Sequence, residues 1–144
     1  MDSENKVHDV LKQCCLKHGS IPIIKKMKGF ILENRYIISK KLNEGAFGKI
    51  YSGYDVQTSF QGDHKPIVFK FSKNHQMTDS EFKALQEIGH KSKQQKIEFI
   101  ETYAKGKALI LDRELRNVKH FSKLSEEEMM KAFDDQVWSY IVQE

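Results

Sequence analysis

The stretch Leu42-Asn-Glu-Gly-Ala-Phe-Gly-Lys-Ile-Tyr51 limits what this chain can fold into more than any other. Tyr36, Ile37 and Ile38 precede it and Ile50, Tyr51 and Tyr54 follow, all residues that favour extended backbone. Two such runs around a short polar segment with two glycines predict a pair of strands joined by a tight turn. Gly45 and Gly48 admit two readings. The turn can need glycine's conformational range, or a backbone without a Cβ can approach a bulky anion such as a phosphate.

On either side of this hairpin the apolar spacing divides the chain into helices and strands. Val7, Val10, Leu11 and Cys14 recur at helical spacing over about residues 4–18, with Gly19 as the C-terminal stop. Its single apolar stripe implies docking on the main body or on a partner. Lys25, Lys26 and Lys28 follow Pro22 and read either as a solvated linker or as a phosphate-contacting arm or nuclear signal. In the first strand Tyr36, Ile38 and Leu42 share a face, and in the second Ile50, Ser52 and Tyr54 do. A polar loop over about 57–65 leads to a third strand, in which Ile67, Phe69 and Phe71 face one side and Val68 and Lys70 the other. A lysine inside so apolar a strand needs a reason.

Thr78 and Glu81 stand at capping-box spacing and open a second helix, whose buried face is expected at Ala84, Leu85 and Ile88 before Gly89. A strand pair is expected next, Ile97 to Ala104 and Ala108 to Leu111, joined by a Lys105-Gly106-Lys107 turn. Ser125 and Glu128 form another capping box and announce a helix running to the end of the chain. Its apolar residues are Met130, Phe133, Val137 and Ile141, flanked by Met129, Trp138 and Tyr140. The expected architecture is α+β: a five-stranded antiparallel sheet with one helix after its third strand, plus an N-terminal and a C-terminal helix. Residues 1–29 form the N-terminal helix and basic linker, 30–115 the sheet module, and 116–144 a linker and amphipathic helix.

With 144 residues the chain has the length of one domain and can bury a core without covalent staples. No apolar run approaches the roughly 18 residues of a membrane span, and the N-terminus lacks a secretory apolar region. Cys14 and Cys15 are adjacent, an unfavourable pair for a disulfide, and no CxxC or Cys/His ligand spacing is read. The expectation is therefore no metal and a reducing compartment, nucleus or cytosol. A net charge of +4 permits contact with nucleic acid without demanding it.

Several of these residues, in order, resemble the small lobe of the eukaryotic protein kinases, and the casein kinase 1 group most. The similarity is carried by Asn34-Arg35-Tyr36, by Gly45-Ala-Phe-Gly48-Lys-Ile-Tyr51 and by Gly53-Tyr-Asp55. Lys70, in Ile-Val-Phe-Lys, stands where the family has its strand-three lysine, and Glu81 is the candidate for the glutamate that pairs with it. Leu111-Asp112-Arg113-Glu114-Leu115 falls at the interlobe hinge, and Asp135 to Ser139 is similar to the helix that opens the large lobe. The resemblance spans about Phe30 to the C-terminus.

The resemblance implies a nucleotide site in which the glycine loop covers phosphates, Lys70 holds them and Glu81 orients Lys70. It also implies that phosphoryl transfer is absent. The family's catalytic Asp, its Asn and its Asp-Phe-Gly metal ligand lie beyond the final helix, and the chain ends at Glu144. Asn43 stands at the loop's first glycine and Val68 at the alanine that roofs adenine, so Gly45, Gly48, Lys70 and Glu81 read as a vestigial site. No cofactor is expected. For Glu81, helix capping is an alternative explanation.

The leading expectation is a non-catalytic, pseudokinase-like module acting as a scaffolding subunit of a larger protein complex. Met130, Phe133, Val137, Trp138 and Ile141 would be its exposed interface, unless that helix folds back on the sheet or on the N-terminal helix. One alternative is an accessory subunit of a nucleic-acid complex making auxiliary phosphate contacts through Lys25, Lys26 and Lys28, with Lys91, Lys93 and Lys96. Another is the front piece of a serine/threonine kinase completed by a second chain.

Overall fold

The computed structural model describes residues 3–45, 48–60, 62–95, 102–111, 121 and 123–144. In chain order the elements are α1 (Ser3–Lys17), β1 (Ile23–Ile24), β2 (Ile31–Leu32), β3 (Tyr36–Glu44), β4 (Gly48–Phe60), β5 (Asp63–Ser72), α2 (His75–Gln95), β6 (Thr102–Ile110), α3 (Glu126–Asp134) and β7 (Val137–Gln143). The strands are hydrogen-bonded in the order β1-β6-β7-β5-β4-β3-β2. Among the described residues the sheet has seven strands and is mixed, because β1 runs parallel to β6, with Ile23 opposite Leu109 and Ile24 opposite Ile110. The expected five-stranded antiparallel sheet is therefore incorrect. Ile23–Ile24 and Ile31–Leu32 add two short edge strands where a linker and a strand start were expected, and the last strand comes from the C-terminal segment.

That segment is the main departure. Ser125 caps α3 as expected: its side chain accepts the Glu128 N–H while Glu128 Oε1 accepts the Ser125 N–H. The helix ends at Asp134, however, and Val137–Gln143 is a strand with every residue buried. A run of β-branched and aromatic residues buried on both faces is what a central strand demands, and periodicity alone does not separate it from a helix segment. β7 pairs antiparallel with β5, placing Ser139 opposite Ser72 and Ile141 opposite Lys70.

Packing divides the chain into two units, Met1–Lys26 with Lys107–Trp138, and Met27–Gly106 with Ser139–Glu144. The first unit's core joins Val7, Val10, Leu11, Cys14 and Cys15 of α1 to Leu109, Leu111, Phe121, Met129, Phe133 and Val137. The α1 stripe read from the sequence is the buried one, and Gly19 ends the helix at φ +94°. Phe121 and Phe133 stack with ring centroids 5.1 Å apart.

The second unit is built on the β3–β4–β5 meander. Its core face carries Ile67, Phe69 and Phe71, and the opposite, half-exposed face carries Val68 and Lys70, as alternation predicts. Leu42 does not follow its expected face. Bulges between Ile38 and Lys40 and between Lys41 and Asn43 shift the register, and Leu42, skipped by the second, is 55% exposed.

Two further expectations are corrected in this unit. Helix α2 starts at His75, not Thr78: Asn74 Oδ1 accepts the Met77 N–H, so Thr78 lies within the first turn and Glu81 caps nothing. Its inward positions are Thr78, Phe82, Leu85 and Gly89, while Ala84 and Ile88 are exposed. The Lys105-Gly106-Lys107 segment is not a turn but the middle of β6. Gly106 is needed there because a Cβ would press against the Tyr140 phenol ring.

Candidate functional site

Of the residues that carry the resemblance, Asn34 to Tyr36, Gly45, Gly48 to Tyr51, Gly53 to Asp55, Lys70 and Glu81 lie in the second unit, whereas Leu111 and Asp135 to Trp138 lie in the first. Glu33 and Asn34 both take left-handed conformations, φ 54° and 55°, and make the tight turn into β3. Tyr140 Oη donates to Glu33 Oε2 at 3.0 Å. Arg35 then reaches β4: its Nε donates to Asp55 Oδ1 at 2.9 Å and its Nη2 to Asp55 Oδ2 at 2.8 Å. Asp55 is 1% exposed and also accepts the Gln57 N–H. The bidentate Arg35 guanidinium holds the Asp55 carboxyl at a pKa of about 2, against the upward pull of burial. Asn34-Arg35-Tyr36 and Gly53-Tyr-Asp55 are thus two halves of one clamp. Gly53 lets it close, because a Cβ there would run into the Ile37 carbonyl.

At the other end of the same hairpin, Glu44 pairs with Lys49 across the strands, and the Gly45 N–H donates to the Gly48 carbonyl at 2.9 Å. Packing favours glycine at position 48, since a Cβ would lie a tight 3.0 Å from the Phe71 carbonyl oxygen. Gly45 has open space where its Cβ would be and no left-handed φ. Neither crowding nor backbone conformation requires a glycine there, which favours the close-approach reading.

Below this turn lies a cavity of about 300 Å³, lined by Asn43, Glu44, Gly45, Gly48, Lys49, Ile50, Lys70, Phe71, Ser72 and Glu81. All four residues of the sequence-predicted nucleotide site, Gly45, Gly48, Lys70 and Glu81, line it. Strand alternation sends Lys70 away from the Phe69 and Phe71 face, and Asn74 starts α2 so that Glu81 comes up opposite. Lys70 Nζ donates to Glu81 Oε1 at 3.0 Å. Both side chains are partly exposed, 39% and 45%, so the pair adds little to stability and instead holds an ammonium at the cavity wall. Glu44 accepts from Lys41 at 3.0 Å and lies 3.7 Å from Lys49; these lysines, Lys41 foremost, hold its carboxyl below the usual range.

The other sequence-predicted sites fare differently. Phe133, Val137, Trp138 and Ile141 are buried and Met130 is half-buried against the first unit's core. The expected exposed apolar interface is therefore not formed by these residues. The stated alternative, folding back, describes them, because α3 packs on α1 and β7 joins the sheet. Lys25, Lys26, Lys28 and Lys91 are exposed. The Lys93 side chain, Lys96, Asp112 to Leu115 and the Ala46-Phe47 tip of the hairpin lie outside the described residues. Leu111 belongs to the first unit's core, its N–H donating to the Ile24 carbonyl.

Sequence reasoning misses one cluster. Cys14 Sγ, His18 and Asp134 present ligand-type atoms all within 4.8 Å of one another, in the first unit. Cys14-x-x-x-His18 is a one-turn spacing that sets His18, the residue after the end of α1, one turn beyond Cys14, and that is the signal that could have found it. The third member comes from the last turn of α3, 116 residues away, and no local pattern announces it.

No family model, curated protein or solved structure matches this chain. Among the described residues, no helix is long and apolar enough to cross a membrane.

Proposed function

We propose that the cavity under the Gly45–Gly48 turn binds the phosphate groups of a nucleotide, and that the chain is a kinase-like binding module that does not itself transfer phosphate. The observation that carries this reading is the Lys70–Glu81 pair, set 3.0 Å apart in the wall of the cavity that Gly45 and Gly48 roof. An ammonium held at a glycine turn is a phosphate-binding arrangement, and the unhindered Gly45 leaves room for an anion to reach the backbone. The cavity's two described carboxylates, Glu44 and Glu81, are both ion-paired with lysines, which suits them to positioning cations. A reducing compartment, nuclear or cytosolic, belongs to the same proposal, supported by two free, buried thiols at Cys14 and Cys15.

Titration of the full chain with a fluorescent ATP analogue tests it. Saturable binding is expected, displaced by unlabelled ATP. Lys70→Ala removes a charge-assisted contact and weakens binding about tenfold or more. Gly45→Val weakens binding while leaving thermal stability unchanged, because its side chain points into open space. No saturable binding by the wild type, or equal affinity in Lys70→Ala, overturns the reading.

A further inference from the structure

The first unit holds a second constellation, independent of the nucleotide cavity. Asp134 Oδ1 lies 2.9 Å from His18 Nε2 and 3.4 Å from Cys14 Sγ, while its other oxygen accepts from Lys17 Nζ at 2.9 Å. One carboxylate oxygen is thus shared between a sulfur and an imidazole nitrogen. A tetrahedral ion with bonds of about 2.0–2.3 Å to S, N and O needs those atoms roughly 3.4–3.6 Å apart. The separations present straddle that range, and shifts on the order of 1 Å in partly exposed side chains reach it.

We propose that Cys14, His18 and Asp134 form a binding site for zinc(II), with three protein ligands and a fourth position open to water. Thiolate, imidazole and carboxylate together are a zinc-type donor set, and sulfur selects against magnesium and calcium. The site has access: His18 and Asp134 side chains are 22% and 29% exposed, whereas Cys14 is buried. Cys14 lies in the last turn of α1 and His18 follows its final residue, with the His18 N–H still donating to the Cys14 carbonyl at 3.2 Å, while Asp134 closes α3, so the ligands are presented without unwinding either helix. Lys17 is 56% exposed and keeps the outer oxygen of Asp134, where it orients the carboxylate from outside the ligand set. On binding, the Cys14 thiol proton is released to solvent and the metal takes its place. The ion would tie α1 to α3 within this unit, and binding that favours the folded chain raises its stability.

Cobalt(II) titration of the full-length, metal-stripped chain reads the site directly. One equivalent is expected to produce a thiolate-to-cobalt charge-transfer band and the intense visible bands of a four-coordinate ion, both displaced by zinc. Cys14→Ser abolishes the charge-transfer band. His18→Ala and Asp134→Asn weaken cobalt binding at least about tenfold, the low end of what even outer-shell changes cost. Zinc raises the melting temperature of the wild type and not of these variants. If Cys14→Ser does not fold, His18→Ala carries the test, since His18 lies just past the end of α1 and is partly exposed. A wild type without a charge-transfer band, a band that survives Cys14→Ser, or undiminished affinity in folded His18→Ala overturns the site.

Discussion

Asp55 shows how much one residue can do in this chain. Its buried carboxylate receives two nitrogens of the Arg35 guanidinium and ties the turn that leads into β3 to strand β4. Its folded pKa, about 2, lies below the ordinary value of 3.8. A depressed carboxylate stabilises the fold above its unfolded pKa, and that contribution fades as pH falls from about 4 through about 2. The amount is on the order of 2 kcal/mol, at about 1.4 kcal/mol per unit. Urea unfolding of the wild type should lose roughly this much between pH 6 and pH 2, beyond what Asp55→Asn loses over the same range. Parallel pH profiles for the two would contradict the assignment. At neutral pH Asp55→Asn should be less stable by a similar amount, on the order of 2 kcal/mol.

Among the elements, α2 and α3 separate what patterning predicts from what packing selects. The α3 start is a local signal that holds. Ser125 and Glu128 satisfy each other's backbone N–H groups, so Ser125→Ala should cost about 1 kcal/mol in urea unfolding. Helix α2 is the contrary case. Apolar spacing marks Ile88 as buried, but it is 53% exposed, because the helix begins three residues before Thr78 and turns a different stripe inward. Ile88→Gln should therefore shift stability by less than about 0.5 kcal/mol, whereas the half-buried Leu85→Ala should be clearly destabilising. Equal losses from the two would restore the stripe read from the sequence.

For the whole molecule the deciding segment is β7. The boundaries between the two units fall inside β6, between Gly106 and Lys107, and inside β7, between Trp138 and Ser139. All seven residues of β7 are buried, and the strand lies between β6 and β5 in the sheet order. A chain ending at Gln136 should lose its cooperative unfolding transition by circular dichroism, since β5 would be left with an unpaired edge and its cover removed. A truncated chain that unfolds as sharply as the intact one would show β7 to be dispensable.

What could be read from residues alone was whatever depends on near neighbours. That covers the α1 stripe, the Ser125 cap, the hairpin around Gly45 and Gly48, and the alternation that sends Lys70 away from Phe69 and Phe71. Each rests on a backbone period or a hydrogen bond spanning a few positions, so the sequence states it directly. Gly45, Gly48, Lys70 and Glu81 were grouped by their order along the chain, through the resemblance, and not by near neighbours; that they line one cavity is a matter of tertiary structure. Leu42 was not legible, because a bulge reverses the faces beyond it and leaves no mark in composition. Nor was Val137–Gln143, whose apolar run suits a buried strand as well as a helix. Only pairing with β5, across more than sixty intervening residues, decides for the strand. The Cys14, His18 and Asp134 cluster belongs here too, since two of its members share a helical turn and the third arrives only when α3 packs on α1. Tertiary structure decided these points because their energies come from partners far away in the chain, and the hydrophobic pattern at each position is satisfied equally by more than one arrangement.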